Sequence, residues 1–135
     1  MVFFGWSPEY SVHIKELDDQ HKKLLVMMNE VYSAIQEKQG YFNISRFLSE
    51  MSEYAIAHFS KEEQLLKKYE YGELEAQQKE HNLFFDQITI FKTRLEDGDP
   101  DVMDEIAEYL SLWLSGHIIG HDKKYSDFLN GNGVT

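Results

Sequence analysis

The chain contains no cysteine. That excludes disulfide staples, thiolate metal sites and thiol nucleophiles, and it fits a reducing compartment such as the cytoplasm. Proline is nearly absent, at 2 residues, and the 8 glycines are sparse, so breaks in regular structure are confined to a few places. Basic residues are outnumbered, 13 against 24 acidic, for a formal net charge of −11. Nucleic acid and anionic membrane surfaces would repel such a chain, and neither is expected as a partner. No apolar run approaches the roughly 18–20 residues of a membrane span. The opening stretch MVFFGWSPEYS lacks the charged and apolar blocks of a secretory leader.

What is present is apolar residues at helical spacing. With 135 residues and 42% hydrophobic composition, residues 1–135 are expected to form one domain with a real core. Residues 1–16 read as an irregular arm carrying Trp6 and Pro8. Gly40, Gly72 and the run from Asp97 to Pro100 separate four periodic segments. These predict helices at about 18–38, 43–69, 73–96 and 101–129. Short connections between long amphipathic helices favour antiparallel neighbours, hence an all-α, up-down-up-down four-helix bundle.

The expected core lines follow steps of three and four. Helix one uses Leu17, His21, Leu24, Met28, Val31 and Ile35; helix two uses Ile44, Phe47, Met51, Tyr54, His58, Glu62, Leu65 and Tyr69. Helix three uses Leu74, Gln77, His81, Phe84, Ile88, Phe91 and Leu95; helix four uses Met103, Ile106, Leu110, Trp113 and His117.

Every one of these lines contains polar residues. They are His21; His58 and Glu62; Gln77 and His81; and His117 with His121 or Asp122. Burying such groups without partners costs on the order of 1–3 kcal/mol each. In an up-down bundle the start of helix one, the end of helix two, the start of helix three and the end of helix four share one end. At 1.5 Å rise per residue the polar positions then gather in a layer on the order of 10 Å thick. A single inward histidine is ordinarily just hydrogen-bonded. A set on four helices is either a polar network or a metal centre, and imidazole with carboxylate suits iron, manganese or zinc. There are too many donors for one ion; they suit two, with carboxylates bridging.

Helix four poses a conflict. His117 and His121 share a face by spacing, whereas Asp122 lies about 140° round an ideal helix from His117. Charge selects Asp122, because two divalent ions with Glu62 as their only carboxylate would leave a large uncompensated charge in a low-dielectric core. A π-bulge between His117 and Asp122 reconciles the two, and Gly116 and Gly120 make a local irregularity plausible. His121 is then expected behind the ligands or exposed, and His13, in the arm, solvated.

The segments DDQH at 18–21, HFSKEE at 58–63, QQKEH at 77–81 and HIIGHD at 117–122 together resemble the hemerythrins, specifically the single-domain bacterial branch. The resemblance covers nearly the whole chain and agrees with an up-down bundle. It implies reversible O2 binding, as hydroperoxide, at a non-haem centre of two iron ions with an oxo or hydroxo bridge. By position, His21 and His58 would hold the iron that is open to O2, His81 and His117 the second iron, and Glu62 and Asp122 would bridge. The O2 pocket would fall on Phe59, Trp113, Leu114 and Ile118. Gln77 departs from the family pattern, which carries a histidine there. It could ligate weakly through its carbonyl oxygen, hydrogen-bond a water in the ligand's place, or turn away. The resemblance thus implies a cytoplasmic O2 carrier or sensor, monomeric by default, with O2 and other small exogenous ligands as partners. A di-iron peroxidase or oxidase, or a redox-sensing module, made possible by Gln77, is the alternative.

Overall fold

In the computed structural model, which describes residues 5–113, 116, 117 and 122–135, apolar steps of three and four give α-helices and, among the described residues, no strand. A short 3₁₀ turn, Pro8–Tyr10, is followed by α1 (Lys15–Gln36), α2 (Tyr41–Lys68), α3 (Leu74–Glu96), α4 (Val102–Trp113) and α5 (Lys123–Gly131). Helix α1 packs on α2, α2 on α3, α3 on α4 and α4 back on α1, while α5 packs on α2. This is the up-down bundle that the short connections imply. Where periodicity predicts one helix over 101–129, two α-helical stretches occur, with Gly116, His117 and Asp122 π-helical between them. The His117–Asp122 spacing conflict is resolved by that wider winding.

Four of the helices end in the same way. After α1, Lys38 takes φ 55°, its N–H reaches Ile35 and the N–H of Gln39 reaches Ala34. The same paired bonds close α2 at Glu70 and Tyr71, α3 at Gly98 and Asp99, and α5 at Gly133 and Val134. These are Schellman turns, which satisfy the last carbonyls and reverse the chain. Glycine supplies the left-handed residue at positions 98 and 133, but Lys38 and Glu70 adopt it with a Cβ in place. Gly40, which punctuates the sequence, lies beyond the turn with an ordinary φ of −65°.

At its other end α1 begins at Lys15, within the stretch read as arm, because Asp18 reaches back. Its carboxylate accepts the Val12 N–H at 2.8 Å and the Ser11 hydroxyl at 2.6 Å. The Ser126 hydroxyl on α5 donates to the Val12 carbonyl at 2.8 Å. These bonds bury Val12 and Ile14.

The core divides into two apolar clusters. The larger runs from Leu24 and Phe59 to Leu95, Ile106 and Trp113. The smaller gathers Val12, Ile14, Leu17, Leu66, Tyr125 and Leu129. Between them, along three of the helical segments, lie buried polar residues: His21 between Leu17 and Leu24, Glu62 between Phe59 and Leu66, and Asp122 before Tyr125. On α2 the buried line is Ile44, Leu48, Met51, Ala55, Phe59 and Leu66. The expected Phe47, Tyr54, Leu65 and Tyr69 are half-buried flanks. The residue one position on, Leu48 after Phe47 and the smaller Ala55 after Tyr54, takes the inward place. In the same way Val102 is buried on α4 and Met103 half-buried.

Candidate metal centre

The polar layer is built from residues that helical geometry places on inward faces. His58 and Glu62 are four apart on α2, and Gln77 and His81 are four apart on α3, so each pair shares a face. His21 enters from α1, and His117 and Asp122 from the π-helical stretch. His21, His58, Glu62, Gln77, His81, His117 and Asp122 are each no more than 3% exposed.

Their donor atoms converge in two overlapping groups. One atom from each of His21, His58, Glu62 and Asp122 lies within 4.8 Å of the others, and the same holds for Glu62, His81 and His117. Glu62 belongs to both groups. The carboxylate oxygens divide between them. On the first side, Asp122 Oδ2 is 3.0 Å and Glu62 Oε1 3.6 Å from His21 Nε2, and Glu62 Oε1 also meets His58 Nε2. On the second, Asp122 Oδ1 is 3.2 Å from His117 Nε2 and Glu62 Oε2 is 4.0 Å from His81 Nε2.

The imidazoles are oriented from behind. His58 Nδ1 lies 2.6 Å from Gln20 Oε1, and His81 Nδ1 lies 3.1 Å from Glu63 Oε2. An oxygen acceptor at Nδ1 places the proton there and leaves the Nε2 lone pair facing the cluster, the arrangement that metal-binding histidines use. Gln20 and Glu63 have no role in the sequence reading. Their only signal is adjacency to His21 and Glu62 in DDQH and HFSKEE, and their contacts cross between helices. Tyr125, three residues after Asp122, is also absent from that reading. Its hydroxyl is wholly buried, and burial, then the charges of Asp122 and Glu62, hold its pKa well above the ordinary range.

The electrostatics are those of buried imidazoles and carboxylates held close together. Burial opposes charge on His21, but the hydrogen bonds and charge of Asp122 and Glu62 outweigh it and push its pKa up to about 10. Burial, with Glu62's negative charge, pushes Asp122 up to about 8. Burial lowers His58 and takes His117 down to about 3. Glu62 is held low against burial by His58 and His21. His58 Nε2 and His81 Nε2 are buried with no hydrogen-bond partner among the described residues, and Glu62 Oε1 and Asp122 Oδ2 face imidazole nitrogens. Orphaned lone pairs are costly unless a cation satisfies them. The donor set therefore fits metal ions.

Gln77 faces the cluster and does not turn away. Its amide nitrogen donates to Asp122 Oδ1 at 2.6 Å and to Glu62 Oε2 at 3.4 Å. Phe59 lies flat on His81, and Trp113 is stacked on His117 with centroids 4.7 Å apart. Both aromatic residues thus wall the second group, with Phe59 also 5.7 Å from His58. Leu114, Ile118 and His121 lie outside the described residues. His13 is exposed in the arm.

Comparison with known proteins agrees with this geometry. The chain is 32% identical over 127 residues to a bacteriohemerythrin of Pseudomonas aeruginosa, covering 94% of this chain and 82% of that one. It is 30% identical over 128 residues to the bacteriohemerythrin of Clostridium acetobutylicum, covering 92% and 99%. A solved structure of a hemerythrin mutant superposes with a TM-score of 0.85 at 24% identity, covering 96% of this chain and 98% of that one. The family described as Hemerythrin HHE cation binding domain matches residues 12–129, and the buried donors lie within that span. The chain belongs to the hemerythrin family.

Proposed function

We propose that the chain binds O2 reversibly at a pair of iron ions held by His21, His58, Glu62, His81, His117 and Asp122, for storage, delivery or sensing. The observation that carries this reading is the pair of buried donor groups that share Glu62. Iron, when bound, supplies the electrons for reversible reduction of O2. Glu62 and Asp122 offset the ionic charge, each presenting one oxygen to either group. Gln20 and Glu63 hold the Nδ1 protons of His58 and His81, so that both rings offer Nε2 inward. Phe59 and Trp113 exclude water from the second group.

The balance of ligands supports release over consumption of O2. Four imidazoles and two carboxylates supply less negative charge than a carboxylate-rich centre, and so less support for high oxidation states. The absence of cysteine and the acidic composition support a cytoplasmic protein, with residues 1–135 as one domain and a monomer. Among the described residues no helix is long and apolar enough to cross a membrane.

The test is to load the protein anaerobically with ferrous iron, count iron per chain, and cycle O2 and argon while recording spectra. Two irons and a visible band that appears with O2 and disappears under argon are expected. Irreversible oxidation after one cycle, with turnover of added reductant and peroxide, would replace the carrier reading with an enzymatic one. Failure to hold more than a trace of iron would remove both.

A further inference from the structure

The two donor groups are chemically unequal, and the inequality sits on Gln77. Each side has two histidines, His21 and His58 on one and His81 and His117 on the other, with one oxygen from each of Glu62 and Asp122. The carboxylate oxygens differ in what else they meet. Glu62 Oε1 and Asp122 Oδ2 face the Nε2 atoms of His21 and His58, which are themselves metal-ligand nitrogens. Glu62 Oε2 and Asp122 Oδ1, which face His81 and His117, are the two oxygens that accept from the Gln77 amide nitrogen, at 3.4 and 2.6 Å. The orientation follows from charge: two carboxylate oxygens require a donor, and the amide's carbonyl end would be repelled.

A cation entering the first group takes the place of the His21–Asp122 contact and gains the His21 nitrogen as a ligand. One entering the second must displace both Gln77 hydrogen bonds, and it receives no nitrogen in return. To contribute at all, Gln77 must rotate its amide by half a turn and offer a carbonyl oxygen, a weaker ligand than imidazole for iron. Gln77 is 3% exposed, so its amide lies within the cluster.

We propose that the chain loads its metal ions in two separated steps: a tight one on His21, His58, Glu62 and Asp122, then a weak one on His81, His117 and the carboxylate oxygens that Gln77 caps. At limiting metal it exists as a one-ion form, and the second ion is the one that exchanges. This rests on the paired-ion reading above. Outer-shell changes alter metal affinity by about 10–100-fold, so a donor that competes for both carboxylate oxygens should separate the steps by about that factor.

The experiment titrates the metal-free protein with ferrous ion under argon, against chelators of graded strength, and measures bound metal by mass spectrometry. Two steps are expected, the second weaker by about that factor. Gln77→His replaces the donor with a nitrogen ligand and should draw the steps together. His81→Ala should abolish the weak step and leave the tight one, and it keeps the assignment testable if Gln77→His does not fold. A single step of two ions in the unaltered protein would overturn the inference and leave the proposed function standing. So would loss of the tight step in His81→Ala. No metal beyond a trace would overturn both readings.

Discussion

The ring of Phe59 lies on that of His81 with centroids 3.8 Å apart and planes 6° from parallel. Phe59 also meets Phe84, Phe85, Trp113 and His117 edge-on or tilted, so one buried ring ties the apolar core to the polar layer. Phe59→Ala should cost about 3–5 kcal/mol of stability, the usual range for an emptied phenylalanine site. It should also weaken metal retention, since His81 loses the surface that fixes its ring. Chemical denaturation of the metal-free protein reads the first effect and chelator competition the second. Unchanged metal retention would mean that Glu63 alone orients His81.

The partners behind the histidines give a sharper test. Gln20→Ala removes the acceptor 2.6 Å from His58 Nδ1 and frees the ring to flip or change tautomer. Metal affinity should fall by about 10–100-fold, the range for lost orienting partners. Gln20→Glu retains an oxygen at that position and should restore most of it. If both variants lose affinity equally, then bulk at position 20 matters and the hydrogen bond does not. The equivalent removal at Glu63 should affect the second, weaker ion alone.

Two left-handed residues mark where stability was left unclaimed. Lys38 and Glu70 sit at φ 55° and 57° with exposed side chains, each closing a Schellman turn. A Cβ in that conformation costs roughly 1–2 kcal/mol, and glycine relieves it while giving back some unfolded-state entropy. Lys38→Gly and Glu70→Gly should each raise stability, by up to about 1 kcal/mol. Thermal melts of the metal-free protein measure this, and a lowered midpoint in both would show that side-chain contacts outweigh the backbone strain.

Those two turns also show what a sequence conceals. Glycines at 40 and 72 mark the breaks correctly, yet the residues that reverse the chain precede them and carry side chains. The helical layout was readable because burial follows a 3.6-residue period on every segment. The inward donors were readable for the same reason: His21, His58, Glu62, Gln77 and His81 interrupt that period with polar groups. Even the π-helical geometry at His117 and Asp122 was anticipated, since charge required Asp122 where an ordinary helix would turn it away. Gln20 and Glu63 left no such trace. Their partners stand 38 and 18 residues off, and nothing in local spacing links them. The direction of the Gln77 amide was equally hidden, because it depends on two carboxylates from two other parts of the chain.

Protons take the place of metal in the metal-free protein, and its stability should reveal them. His21 has a folded pKa of about 10 against an ordinary 6.5. Its contribution is therefore complete below the unfolded value and drains away as pH rises through the folded one. Asp122, raised from 3.8 to about 8, has the same sign, because the folded state prefers its protonated form. Asp122 works against the metal-free fold between its ordinary 3.8 and about 8, and His21 between 6.5 and about 10, as the cluster is asked to surrender protons that balance its own negative charge. His117 runs the other way: its folded pKa of about 3 lies below 6.5, so protonating it opposes folding as pH falls through that window. Bound cations would replace the proton on His21 and favour ionised Asp122, releasing protons as they enter. The melting temperature of the metal-free protein should thus fall steadily above neutral pH, while that of the loaded protein stays level across the same range. Parallel curves for the two forms above pH 7 would show that His21 and Asp122 do not hold protons in the cation's place.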